Sequence, residues 1–170
     1  VRWTDADADG VREAGETPVA GETVTLTGTD MFGNPVSTTA TTDVDGSYHF
    51  TGLLPGTYTV TFEVVPGLHV STPLPGPIAL QSGQTVSDVD EGTYALGSVA
   101  GIAWVDADGD GIRAATDVGL AGVEVHLVGT DGSGAAVDRT ATTGSAGTVT
   151  FDDVVPGTYH LVYGTVSGSD

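Results

Sequence analysis

Within twelve residues near the start of this 170-residue sequence, Asp5, Asp7, Asp9, Glu13 and Glu16 supply five carboxylates, with Gly10 between the third and fourth. Counted from Asp5, the acids fall at positions 1, 3, 5, 9 and 12, the glycine at position 6, and Val11 at position 7, where only its backbone carbonyl can serve. A hard divalent cation that takes six to eight oxygens needs short-spaced acids on a sharply turning loop, and this is the ligand spacing of an EF-hand-type calcium loop. The pattern returns as Asp106, Asp108, Asp110, Gly111, Ile112 and, at position 12, Asp117. No cysteine is present and no histidine pair has ligand spacing, so a softer metal has nothing to bind. Aspartates that merely cap their own turn are the plainer reading of one such loop. Two loops in the same context favour the ion.

The rest of the sequence must hold these loops. Laid on itself with an offset of 101 residues and no gap, 29 of 69 aligned positions are identical. Trp3 falls on Trp104, Ala20-Gly21 on Ala121-Gly122, Val24 and Leu26 on Val125 and Leu127, and Pro55-Gly-Thr-Tyr58 on Pro156-Gly-Thr-Tyr159. Such ordered self-similarity marks two copies of one unit. The copies are 1–69 and 102–170, and the segment between them closes the first and opens the second. The domains are expected at 1–96 and 97–170, the first without a counterpart of Gly97-Ser-Val-Ala-Gly101 and the second without one of 71–96. The sequence then reads as a window on a longer array; strands supplied by neighbouring copies through β-augmentation are the other reading.

Within a unit the apolar period is two. Thr23–Thr27, Ser47–Phe50 and Thr57–Phe62 alternate, as do Glu124–Val128 and Tyr159–Tyr163, which predicts half-buried strands. Asp45-Gly46, Pro55-Gly56, Pro66-Gly67 and Pro75-Gly76 punctuate them as turns. The proline-rich stretch 70–82 predicts a loop with a short edge strand, and Thr85–Tyr94 a closing strand. No segment has a helical period. Short strands with turns every eight to twelve residues imply an all-β chain of two tandem β-sandwich domains. Trp3, Trp104, Tyr58 and Tyr159 could stack on a sugar, but matching strand positions in both units favour packing.

Composition narrows the partners. The formal net charge is −19, from 23 acids against four arginines, which argues against nucleic acid and anionic membrane surfaces. No apolar run approaches the roughly 18 residues of a membrane span. His49, His69, His126 and His160 share no motif with a serine nucleophile, and there is neither a nucleophile elbow nor a phosphate-cradling glycine loop. Paired acids can hydrolyse glycosides, but the clustered acids here already fill the cation spacing. The residues point away from an enzyme.

Taken together, Gly97 to Gly111, Ala20 to Leu26 and Thr41 to Tyr58 resemble the B-type repeats of the serine-aspartate-repeat surface adhesins. The resemblance covers both units. It implies prealbumin-like, reverse-immunoglobulin sandwiches with calcium-rigidified loops, serving as spacers that hold a binding head away from a bacterial surface. It thus implies an extracellular, cell-surface or secreted location and, as partners, calcium and other domains of the same chain or neighbouring copies. A subunit of an extracellular filament or surface layer, or an accessory module of a secreted carbohydrate-active enzyme, are the alternatives. Related pilin-type domains carry a Lys–Asn crosslink, which a sequence without lysine cannot form.

Three further expectations concern the acids. Glu13 becomes Ala114 and Glu16 shortens to Asp117, so the second loop is expected to bind calcium more weakly. Asp43 and Asp45 suggest a secondary site in the first unit that Gly144 and Ala146 remove from the second. Asp88 and Asp90, with Glu91, are candidates for a further calcium near the junction, or for a charged edge that discourages strand pairing. Calcium itself is expected to pin the Trp3 strand to the strand that begins near Glu22.

Overall fold

A computed structural model describes residues 1–165; the last residues of the second expected domain, 166–170, lie outside the described part. Every regular element among the described residues is a β-strand, so the chain is all-β as its period of two implies. It divides into two compact units, Val1–Ala95 and Leu96–Asp170.

Unit 1 holds β1 (Arg2–Thr4), β2 (Thr17–Pro18), β3 (Thr23–Asp30), β4 (Pro35–Thr41), β5 (Gly56–Phe62), β6 (Leu68–Val70), β7 (Ile78–Leu80) and β8 (Glu91–Ala95). They form two four-stranded sheets, β2-β1-β8-β6 and β4-β3-β5-β7. Alternate residues of β3 and β5 turn inward, so Val24, Leu26, Tyr58, Val60 and Phe62 form the core, with Tyr48, Phe50, Leu74 and Val89 packed against them. The other sheet reaches this core through Arg2, whose guanidinium lies 5.7 Å from the centre of the Phe62 ring. The two sheets thus make a β-sandwich.

Unit 2 holds β9 (Gly97–Ile102), β10 (Trp104–Val105), β11 (Val118–Gly119), β12 (Glu124–Asp131), β13 (Ala136–Thr142), β14 (Thr148–Val154) and β15 (Gly157–Tyr163). Its ladders are β13-β12-β15, β14-β9 and β10-β11. Val123, Val125, Leu127, Val149, Phe151 and Val154 are its core, with Val99 and Leu161 against it.

The Pro-Gly-x-Tyr turn has a physical reason in both units. The Tyr58 hydroxyl donates to the Leu54 carbonyl at 2.8 Å and the Tyr159 hydroxyl to the Val155 carbonyl at 2.9 Å, folding each ring back over its own turn. A Cβ on Gly56 would sit 2.4 Å from the Thr29 carbonyl oxygen of the neighbouring strand and 2.9 Å from the Tyr58 hydroxyl, so the strand and the tyrosine both need bare backbone here.

Two predicted strands differ from the structure, and for one reason. Ser47–Phe50 is not a strand, although its counterpart in unit 2 is part of β14. The closing strand is only Glu91–Ala95, not Thr85–Tyr94. β14 is a strand because β9 pairs with it. Among the described residues Tyr48–Phe50 and Val86–Asp90 alternate in sequence but have no ladder partner, and a strand is defined by its partner's hydrogen bonds. In the stretch 70–82, the loop with an edge strand is observed, the strand being Ile78–Leu80 paired with β5.

Candidate metal centre

Each acidic loop closes a short antiparallel hairpin. β1 and β2 pair as Trp3↔Pro18 and Thr4↔Thr17, so residues 5–16 bridge two strands that are already in register. In unit 2, Trp104↔Gly119 and Val105↔Val118 hold 106–117 in the same way. The strand tied to Trp3 is therefore β2, not β3 as the spacing suggested. Parallel pairing with β8 adds a second anchor, and Asp5 N–H donates to the Thr93 carbonyl at 2.8 Å.

The first acid of each loop organises the turn. Asp5 is fully buried; its Oδ1 accepts from the Ala8 N–H at 2.7 Å and its Oδ2 from the Gly10 N–H at 2.8 Å. Asp106 repeats both bonds, from Gly109 and Gly111, at 2.8 Å each. The backbone is left-handed at Ala8 and Gly10 in the first loop and at Gly109 and Gly111 in the second, which suits glycine and strains the lone alanine. Asp9 and Asp110 each accept from the N–H two residues on, Val11 and Ile112, at 2.7 Å. The side chains of Val11 and Ile112 point into solvent, leaving their carbonyls as the only groups they could offer an ion.

The twelfth position braces the loop. Glu16 takes the Ala6 N–H on Oε1 at 2.8 Å and the Glu13 N–H on Oε2 at 3.0 Å. Asp117, one methylene shorter, takes the equivalent Ala107 and Ala114 N–H groups at 3.3 and 2.7 Å. The shorter acid thus reaches the same partners, with one bond stretched.

Carboxylate oxygens converge in both loops. Those of Asp5, Asp7 and Glu16 lie within 4.8 Å of one another, as do those of Asp7, Asp9 and Glu13, and those of Asp106, Asp108 and Asp110. Asp117 does not join the last group. The crowding is felt electrostatically. Desolvation, then repulsion from Asp9 and Asp5, raise the Asp7 carboxyl above its ordinary value, and desolvation with Asp9, Glu16 and Asp7 raises Glu13. Burial pushes Asp5 the same way, but the Gly10 and Ala8 N–H groups on its two oxygens help to hold it low. Asp106 is held low chiefly by the Gly111 N–H. Each oxygen that accepts one N–H keeps a further lone pair, so the donor set, all oxygen and mostly anionic, fits a hard divalent cation.

The secondary candidates are placed otherwise. Asp43 and Asp45 shape a turn: Gly46 N–H donates to the Asp43 carbonyl at 2.8 Å, and Ser47 N–H to Asp45 Oδ1 at 3.0 Å. Asp88 accepts from the Ser87 hydroxyl at 2.8 Å, and the Asp90 carbonyl accepts from the Thr72 hydroxyl at 3.4 Å. Neither pair is gathered with a third acid among the described residues.

One cluster beneath the first loop was not foreseen. Arg2 is buried in β1, paired with Glu22 and, at 3.3 Å, with Glu91, and it donates to the Glu63 carbonyl at 2.9 Å. The repeat carried a signal for it: Arg2 and Glu22 align with Ala103 and Val123, so both members of a pair change together.

Residues 1–95 and again 95–170 match the SdrD B-like domain family. Among curated proteins, serine-aspartate repeat-containing protein F of Staphylococcus epidermidis (strain ATCC 12228 / FDA PCI 1200) is 32% identical over 177 residues, 92% of this chain and 10% of that protein. Protein D of the same description from Staphylococcus aureus (strain Newman) is 32% identical over 181 residues, 98% of this chain and 13% of that protein. The chain thus spans roughly a tenth of the length of these relatives. Among solved structures, the minor pilin of Streptococcus agalactiae overlaps with a TM-score of 0.30 at 16% identity, covering 99% of this chain and 82% of that one. The family matches span the whole sequence in two successive copies, and the chain belongs to the SdrD B-like domain family.

Proposed function

We propose that the chain is a calcium-stabilised structural spacer of an extracellular, adhesin-type surface protein, with no catalytic role. One observation carries this reading: in both repeats a hairpin closes on a loop whose acids are turned toward one another. In the first loop Asp5, Asp7 and Glu16, with Asp9, Glu13 and the Val11 carbonyl, would hold the ion; in the second Asp106, Asp108 and Asp110, with the Ile112 carbonyl and Asp117. Calcium supplies positive charge that offsets the repulsion among these carboxylates. Asp5 and Asp106 set the turn through two N–H bonds each, and Glu16 and Asp117 tie its far end to its start, so the loop is partly organised before any ion arrives. The β1–β2 and β10–β11 ladders pass that order to the Trp3 and Trp104 strands. A domain stiffened in this way suits a load-bearing spacer. Family membership supports the same reading, and so does the want of any nucleophile–base pair in the sequence.

The test is thermal unfolding and proteolytic resistance in EGTA and then in millimolar calcium. At a hundredfold excess over the dissociation constant, a filled site should add about 2.7 kcal/mol to its unit. Asp5→Ala with Asp106→Ala should abolish the rise in midpoint. Identical midpoints and cleavage patterns with and without calcium would remove the ion from the mechanism.

A further inference from the structure

The β4-β3-β5-β7 sheet of unit 1 ends on β4, and no strand among the described residues pairs with the far side of β4. The two ends of β4 fix which of its backbone groups face that side. The Asn34 carbonyl accepts from the Asp30 N–H at 3.0 Å, and the Thr42 N–H donates to the Glu22 carbonyl at 2.9 Å. Hydrogen-bonded pairs alternate along an antiparallel ladder, so Val36, Thr38 and Ala40 bond to β3. Ser37, Thr39 and Thr41 therefore turn their N–H and C=O groups outward, and Pro35 its carbonyl. No residue of Pro35–Thr41 is charged, in a chain whose formal net charge is −19.

β13 is the same strand in unit 2 and keeps the same register, Val125↔Ala141 where unit 1 has Val24↔Ala40. There Asp138 and Arg139 stand in the places of Ser37 and Thr38. Arg139 reaches from its own ladder to β14, donating to the Asp153 carbonyl at 3.2 Å and lying 5.9 Å from the centre of the Phe151 ring. Charged side chains on an edge strand discourage pairing with another chain. The fold accepts a guarded edge at this place, and unit 1 carries an open one.

We propose that β4 is a dimerisation edge, at which unit 1 pairs antiparallel with β4 of a second copy about a two-fold axis through Thr38. Ser37 then lies opposite Thr39 of the second copy, and the two exchange both main-chain hydrogen bonds. Val36 lies opposite its Ala40, and the Thr41 N–H meets its Pro35 carbonyl. Thr38 faces its own copy in a non-hydrogen-bonded pair, where side chains come closest. The strand is its own complement, hydroxyl against hydroxyl and valine against alanine, and two-fold symmetry makes every contact twice. An uncharged edge is also where two strongly anionic molecules approach at least cost. The same pairing at β13 would set Arg139 against Arg139, like charges directly opposite each other.

Sedimentation velocity of the 170-residue protein from about 10 µM to about 1 mM, the range in which so small an interface associates, should show monomer passing into dimer. Amide exchange at Ser37, Thr39 and Thr41 should slow by about tenfold or more as the dimer forms. Thr38 and Ala40, already bonded to β3, should keep their rates. T38R sets like charges across the axis and should weaken the dimer by at least about tenfold. Unit 2 carries arginine at the aligned position, so the fold tolerates it. A protein that is monomeric at the highest concentration overturns the proposal. Dimerisation that T38R leaves unchanged, or that protects another strand, overturns it as well. The edge holds no acid, so running each arm in EGTA and in calcium separates this result from that of the calcium reading.

Discussion

The two repeats carry nearly the same loop and rest it on different foundations. In unit 1 the strand behind the loop buries Arg2 against Glu22 and Glu91. In unit 2 the aligned positions are Ala103 and Val123, and Val123 belongs to the hydrophobic core. Sandwich geometry accepts either solution at this point, a charged cluster or an apolar contact, provided the members change as a set. A buried ion pair is seldom more stabilising than well-packed apolar residues of similar volume, yet removing one member strands the others. Unit 1 should therefore be the more brittle of the two at this site.

The largest effect follows from that. Arg2→Ala leaves Glu91 buried without its cation and should cost unit 1 about 3–5 kcal/mol. Arg2→Ala with Glu22→Val moves unit 1 part of the way to the apolar solution and should recover some of the loss. Calorimetry with hydrogen exchange assigned to each unit would read both. A loss below about 1 kcal/mol for Arg2→Ala would mean that solvent reaches the cluster and that the contrast with unit 2 is one of sequence only.

Next in size is a pair of aligned core residues. Phe151→Ala empties a fully enclosed site and should cost unit 2 about 3–5 kcal/mol. Phe50→Ala removes a ring that is only half-buried, so roughly half that loss is expected in unit 1. Equal losses at the two positions would show that Phe50 is as enclosed as Phe151.

The aligned phenylalanines also show what was legible in the sequence. The period of two located β3, β5, β12 and β15, because alternation is local and each strand finds its partner within the same unit. It failed at Ser47–Phe50 and at 85–90, because no described strand supplies the ladder hydrogen bonds that would make these stretches strands. The acidic loops could be read for the opposite reason: Asp5, Gly10 and Glu16 act on backbone groups within the same twelve residues. Arg2 was missed because its partners are 20 and 89 positions away, and no local pattern links Arg2 to Glu22 or Glu91. Trp3 was expected in the core and is buried; Trp104 is half-buried, and its indole N–H finds no partner among the described residues.

A smaller difference should separate the loops themselves. Glu13 stands among Asp9, Glu16 and Asp7, whereas Ala114 adds no charge to the second loop. Glu13→Ala should weaken calcium binding at the first loop by roughly tenfold, and Ala114→Glu should strengthen it at the second by a similar factor, since affinity follows ligand charge count. Titration calorimetry would measure each. Asp117→Glu should matter less, because Asp117 already occupies the N–H groups that Glu16 does. If Asp117→Glu tightened binding and Ala114→Glu did not, reach rather than charge would distinguish the two loops.

The smallest expected contrast is in acid, without calcium. Burial raises the Glu91 carboxyl above the ordinary glutamate value, against the pull of Arg2. A raised acid penalises the folded state when both states are ionised; the penalty fades as pH falls through the raised value and is gone below the unfolded value of about 4.3. Asp5 works in the opposite direction. Its folded value is held low, so its contribution is intact above the unfolded value of about 3.9 and is lost as pH falls through the depressed one. Unit 1 should therefore gain slightly between neutrality and about pH 4 before it loses stability. In unit 2 the depressed Asp106 should give the loss as pH falls through its lowered value, on a strand that carries Ala103 where unit 1 has Arg2. Urea midpoints from pH 7 to pH 3 in EGTA, read unit by unit, would show whether the curves part above pH 4. Parallel curves would mean that Arg2 already compensates Glu91 fully, and Glu91→Gln should then leave unit 1 with an unchanged pH profile.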